Sequence, residues 1–123
     1  MYTARTVLGR KAEDAAAAYY KDGGGMILAR NYRCRYGEID IIAKDGEVLV
    51  FVEVRCRRSE AMVSPAESVD SRKISKLIET AEHYITENNL PEDVNCRFDV
   101  AEVTFSRGEP LSVEIVKNAF VVE

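Results

Sequence analysis

Arg35-Tyr36-Gly37-Glu38-Ile39-Asp40-Ile41-Ile42-Ala43-Lys44-Asp45-Gly46-Glu47-Val48-Leu49-Val50-Phe51-Val52-Glu53-Val54-Arg55-Cys56-Arg57-Arg58 is the stretch whose reading decides the fold. It predicts two β-strands joined by a tight turn at Lys44-Asp45-Gly46, because an Asp-Gly pair between apolar runs is a strong hairpin signal. Val48 to Val52 is apolar on both faces, as in a strand buried in the middle of a sheet. Glu53 and Arg55 follow directly on that run. Charge is normally avoided there unless it is paired or bound to a cation. Glu38 and Asp40 lie on the preceding strand, so the hairpin reads as a site as well as a scaffold.

Outward from the hairpin, the chain predicts the order α-β-β-β-α-β-β. A helix is expected over 8–21, with Ala12, Ala15, Ala16 and Tyr19 as its apolar stripe. Asp22-Gly23-Gly24-Gly25 ends it. A strand is expected over 26–33. Residues 59–69 hold a proline and no period, and they read as a functional, mobile loop. Asp70 or Ser71 caps a second helix that runs to about Asn88, with Ile74, Leu77, Ile78, Ala81, Tyr84 and Ile85 toward the core. Strands follow at 96–105 and 111–116, with a turn at Gly108-Glu109-Pro110, and Ala119 to Val122 packs down. Three consecutive strands imply an antiparallel meander. The second helix then allows a parallel crossover. The expectation is one α/β domain over 1–123, a mixed sheet of about five strands flanked by helices.

The 123 residues suffice for one core without disulfides or a structural metal. Hydrophobic residues make up 46% and charged residues 31%, which is ordinary for a soluble globular protein. No apolar run is long enough to span a membrane. The first ten residues carry no secretion-signal core. Three cysteines without a Cys-x-x-Cys spacing suit reduced thiols, and the expected location is the cytoplasm. A net charge of −4 speaks against a general nucleic-acid coat. Yet Arg30 to Lys76 holds ten of the 17 basic and eight of the 21 acidic residues. Glu38, Asp40 and Glu53 are three of those eight. If a divalent cation neutralises them, the surrounding face turns positive and suits a polyanion.

Hydrolysing a phosphodiester needs charge neutralisation and an activated water. Carboxylates converging on Mg²⁺ or Mn²⁺ supply both, because the ion takes oxygen ligands and lowers the pKa of bound water. Asp40, Glu53 and Arg55 are the right side chains. Glu53 and Arg55, two apart on a strand, share a face. Asp40 reaches Glu53 if the hairpin register allows.

Gly37-Glu38-Ile39-Asp40, followed by Phe51-Val52-Glu53-Val54-Arg55, resembles the YraN-like family of predicted bacterial endonucleases. That family is similar to archaeal Holliday-junction resolvases, with the restriction-endonuclease fold and its PD-(D/E)XK motif. The resemblance covers nearly the whole chain, including the helix with Glu13 and Arg97-Phe98-Asp99-Val100. It implies metal-dependent endonuclease activity on DNA, branched or damaged DNA among the candidates. It implies that Asp40 and Glu53 bind Mg²⁺ or Mn²⁺, that Glu13 completes the acidic cluster, and that Arg55 stands at the motif lysine position. Cutting two strands calls for a two-fold arrangement, hence a homodimer among the expected states. Arginine keeps its charge, so Arg55 is expected to orient water or stabilise phosphate. The base then falls to a carboxylate or to metal-activated water.

Each assignment has a plainer counterpart. Glu53 with Arg55 can be a structural ion pair, Asp40 a solvent-facing strand residue, Glu13 a solvated helix residue, and Glu38 a partner to a neighbouring loop. Arg30, Arg33, Arg35, Arg57, Arg58, Lys73 and Lys76 are candidate phosphate contacts or a solvated rim. His83 and the cysteines read as non-catalytic, Cys56 being the thiol to check for oxidation. The alternative functions are a non-cutting nucleic-acid-binding module of the same fold and a protein-interaction adaptor.

Overall fold

A computed structural model describes residues 6–59 and 70–120. The expected loop therefore lies, beyond Ser59, outside the described residues. The elements are α1 (Val7–Asp22), β1 (Met26–Cys34), β2 (Gly37–Asp45), β3 (Val48–Arg58), α2 (Ser71–Glu87), β4 (Cys96–Ser106) and β5 (Glu109–Phe120). They form one five-stranded sheet in the order β1-β2-β3-β4-β5. Only β3 and β4 run parallel; the other neighbours are antiparallel. This is the mixed α/β sheet flanked by two helices that the sequence predicts, and it is consistent with the restriction-endonuclease-like fold.

The hairpin turn falls two residues later than expected. Asp45 pairs with Val48, so Lys44 and Asp45 belong to the ladder and Gly46-Glu47 makes the link. Gly46 adopts φ 61°, the left-handed conformation that two-residue hairpin links require. The last strand is longer than the sequence suggests. Arg107-Gly108 makes the turn with φ 53° and 79°, and β5 continues to Phe120, which stacks on Phe98 at 4.7 Å.

The sheet separates two cores. Ala12, Ala16, Ala17 and Tyr20 of α1 pack on Ile41, Ala43, Val50, Val52, Val54, Ala101, Val103 and Phe105. Leu77, Ala81 and Tyr84 of α2 pack on Ile39, Ile42, Leu49, Phe51 and Phe98. Strand alternation along β3 thus sends Val50, Val52 and Val54 to the α1 side, and Leu49, Phe51 and Glu53 to the α2 side. α2 is the crossover between two parallel strands, so its first turn lies at the carboxyl end of β3. Asp70 caps that turn by accepting from the Lys73 N–H at 2.9 Å. Gly37 lets β2 approach the helix: a Cβ there would meet Thr80 Oγ1 at 3.1 Å.

A second buried polar network centres on Asp99. Asp99, 1% exposed, accepts from Tyr20 Oη at 2.7 Å, from Arg97 Nε and from the Asn118 N–H. Arg97 also reaches Asp45 at 3.0 Å. The network ties α1 to β2, β4 and β5.

Candidate functional site

The site forms where the β2–β3 ladder stops. Its register runs from Asp45↔Val48 to Ile41↔Val52 and is not continued further. Extended by two residues, it would bring the Val54 N–H to the carbonyl of residue 39. Instead the Asp40 carboxylate accepts that N–H at 2.8 Å. The fork between the strands is thus closed by a side chain, which aims Asp40 at β3. Side-chain alternation slips at the same place. Ile39 packs on the α2 side and Ile41 on the α1 side, although they are two residues apart. On β1, the matching Asn31 has φ 54°, a left-handed conformation that asparagine tolerates better than most residues.

Two carboxylates from facing strands meet in this fork. Burial first, and then the neighbouring Glu53 charge, push the Asp40 carboxyl up to about 8; Glu13 adds a smaller push in the same direction. Glu53 is 8% exposed. Its Oε2 lies 2.8 Å from Lys73 Nζ on the first turn of α2. That is ion-pair range, but off the line of a hydrogen bond, so this buried oxygen keeps no aligned donor. Glu13 comes in from α1 at 2% exposure. It accepts from Asn31 Nδ2 at 3.0 Å and sits 3.5 Å from Arg30. Burial raises the Glu13 carboxyl above its ordinary range, while Asn31 and Arg30 oppose the rise.

Asp40 lies beside Glu53 and within electrostatic reach of Glu13, which approaches from the α1 side, but the three are not equivalent. Asp40 and Glu53 repel each other across the fork, whereas Glu13 is already engaged by Asn31 and Arg30. Among the described residues, no group of three or more His, Cys, Asp or Glu side chains is set to hold a metal ion. Mg²⁺ needs fewer protein ligands than that, usually one or two carboxylates with water and phosphate oxygens completing the shell. The donor set fits such an ion: two repelling carboxylates, one with an oxygen lacking an aligned donor. Asn31 Oδ1, also buried and without a hydrogen-bond partner, stands close by on Glu13.

The remaining predicted residues divide. Arg55 is two residues beyond Glu53 on the same side of β3, half-buried, and opposite Glu102 in the ladder. Arg30 pairs with Asp14 at 2.8 Å, on the α1 side. Arg33 pairs with Glu38 at 3.0 Å, which gives Glu38 a surface partner beside the β1–β2 turn. Arg57 lies 3.8 Å from Glu102. Arg35 bonds Tyr36 Oη at 2.6 Å and lies 4.8 Å from that ring's centroid. Arg58 and Lys76 are exposed near the end of β3 and on the second turn of α2. Cys56 packs on the α1 side. Burial and the Asp40 charge push its thiol up, which makes it a poor nucleophile.

One contributor, Asn31, escaped the sequence reading, and another, Lys73, was expected in a different role. Asn31 was readable only as a polar residue interrupting a strand; that it holds Glu13 depends on its φ. Lys73 was expected as a phosphate contact and lies on Glu53. His83 accepts or donates a 2.6 Å hydrogen bond with Tyr32 Oη, away from the carboxylates.

The comparisons with known proteins show which family the chain belongs to. The profile of Uncharacterised protein family UPF0102 matches residues 12–103, from just before Glu13 to β4. A UPF0102 protein of Moorella thermoacetica is 48% identical over 91% of this chain and 93% of its own. One from Pelotomaculum thermopropionicum is 46% identical over 98% of this chain and 100% of its own. One from Clostridium botulinum strain 657 is 41% identical over 94% of each. The chain belongs to family UPF0102.

Proposed function

We propose that the protein is a metal-dependent endonuclease that hydrolyses phosphodiester bonds of DNA in the cytoplasm, with branched DNA as the substrate to try first. The observation that carries this reading is the fork itself: Asp40 and Glu53 face each other with Asp40 pushed up to about 8 by burial and by Glu53. Two buried carboxylates held together, with the ionisation of Asp40 opposed by the other, are a signature of a cation site or of acid–base chemistry. Asp40 and Glu53 would hold Mg²⁺ or Mn²⁺, which when bound supplies charge neutralisation and an activated water. The rest belongs to the chain. Val54 fixes the Asp40 rotamer through its N–H. Asn31 and Arg30 restrain Glu13, which keeps negative potential at the fork without crowding it. Arg55, permanently charged, stabilises phosphate oxygens and orients water; it does not take a proton.

Recognition would rest on Arg35, Arg58 and Lys76, with Arg33 and Arg57 released from their acids. Contacts of this kind read backbone shape and charge, not base sequence. Two cuts in opposite strands would need a second copy. No helix among the described residues is long and apolar enough to cross a membrane.

A second reading, a binding module that does not cut, is favoured by one observation. Arginine, which keeps its proton, stands at position 55 where the resemblance has lysine. One experiment separates the two. The protein is incubated with four-way, single-stranded and duplex DNA in Mn²⁺, Mg²⁺ or chelator, and binding is followed at several salt concentrations in Ca²⁺. Metal-dependent cutting supports the nuclease. Salt-dependent binding without cutting supports the module, and neither result leaves both readings refuted.

A further inference from the structure

Lys73 contacts Glu53 from the α2 side, and neither the fold nor the motif resemblance gives it that place. Its backbone N–H is fixed by the Asp70 cap, so the side chain starts from a rigid first turn. Its ammonium reaches 2.8 Å from Glu53 Oε2, while the side chain keeps 36% of its surface open to solvent. One end of the stem is thus anchored, the other sits on the buried acid, and a route outward is open. Arg55 lies on the same face of β3, about 7 Å further along the strand. Glu53, Arg55 and Lys73 therefore address the same space.

Resting on the nuclease reading above, we propose that Lys73 is the exchangeable ammonium of the site: it neutralises Glu53 in the metal-free protein and turns to the DNA phosphate when a divalent cation takes Glu53. Two positive centres cannot share Glu53 Oε2. A divalent ion on that carboxylate repels an ammonium beside it, and the flexible lysine stem allows the departure. The β3 position that the resemblance gives to lysine is filled here by arginine, and Lys73 brings an ammonium to the same face from α2. Lys73 touches phosphate only in the metal-loaded state, so its contribution to DNA binding depends on metal.

The test measures Mn²⁺ binding by electron paramagnetic resonance, without DNA, on the intact chain and its Lys73→Met, Lys73→Arg and Asp40→Asn variants. Circular dichroism confirms folding in each. DNA affinity is then measured with and without Ca²⁺. Lys73→Met should bind Mn²⁺ about tenfold more tightly than the wild type, since no ammonium has to be displaced. It should bind DNA like the wild type in chelator, and about three- to tenfold more weakly in Ca²⁺, with Lys73→Arg restoring part of the loss. Wild-type Mn²⁺ binding lost in Asp40→Asn but unchanged in Lys73→Met would overturn this inference and leave the metal site standing. No Mn²⁺ binding by folded wild type and folded Lys73→Met would overturn both.

Discussion

Replacing Asp40 by asparagine keeps the shape of the site and removes its charge. The amide oxygen can still accept the Val54 N–H that Asp40 accepts at 2.8 Å. In the folded chain the Asp40 carboxyl is pushed from an ordinary 3.8 to about 8 by burial and by Glu53. The sign follows from linkage. A folded-state value above the unfolded one means that the folded chain holds a proton the unfolded chain has released. The associated stability is complete below about pH 4 and is lost as pH rises toward 8. Each pH unit in that window is worth ~1.4 kcal/mol, so three units, from pH 5 to 8, set a ceiling of about 4 kcal/mol. Lys73 offsets part of the negative charge on Glu53, so about half the ceiling is expected to be seen. In a domain of this size that moves the melting temperature by roughly 6–10 °C. The assay is thermal unfolding of wild type and Asp40→Asn at pH 5, 6, 7 and 8 in chelator at fixed ionic strength. The variant should lead slightly at pH 5 and by progressively more toward pH 8. Excess Mg²⁺ at pH 8 should then raise the wild type alone, by about 2–3 kcal/mol at a hundred times its dissociation constant. A gap that does not change with pH would refute the reasoning, because Asp40 would then be ionised throughout at no cost.

Three further outcomes follow from other parts of the structure. Tyr20→Phe removes the 2.7 Å hydrogen bond to buried Asp99 and should cost about 2 kcal/mol in urea denaturation, with cleavage unaffected. Gly37→Ala places a Cβ 3.1 Å from Thr80 Oγ1; it should destabilise by about 1 kcal/mol, and Thr80→Ala in the same chain should recover part of that. Arg55→Lys restores the residue type of the motif and should preserve or raise metal-dependent cutting in a nicking assay; abolished cutting would remove Arg55 from the role given to it.

The fold was legible because its signals are local. The alanine run of α1 (though Tyr20 is buried in place of the expected Tyr19), the glycines after it, the Asp70 cap and the unbroken apolar run of β3 each act within a few residues. The hairpin turn was misplaced because Asp45-Gly46 marks a turn without fixing its register, and the register put Asp45 in the ladder. At the site, residue types were readable and their relations were not. Asp40 and Glu53 could be named as a pair across the hairpin. Nothing in the sequence says that the ladder ends at Ile41↔Val52 and leaves Asp40 to accept from Val54. Asn31 and Lys73 join the carboxylates through a left-handed φ and a helix crossing, both of which are tertiary facts. The basic residues were found by counting charge, but counting cannot show that Arg33 and Arg57 lie beside Glu38 and Glu102.

The most direct test of the central claim is cleavage of a labelled four-way DNA junction by wild type, Asp40→Asn and Glu53→Gln, purified side by side and run in Mn²⁺, Mg²⁺ and chelator. The wild type should cut with metal only, and neither variant should cut. Equal cutting by all three proteins, or no cutting by folded, metal-loaded wild type, would contradict that claim.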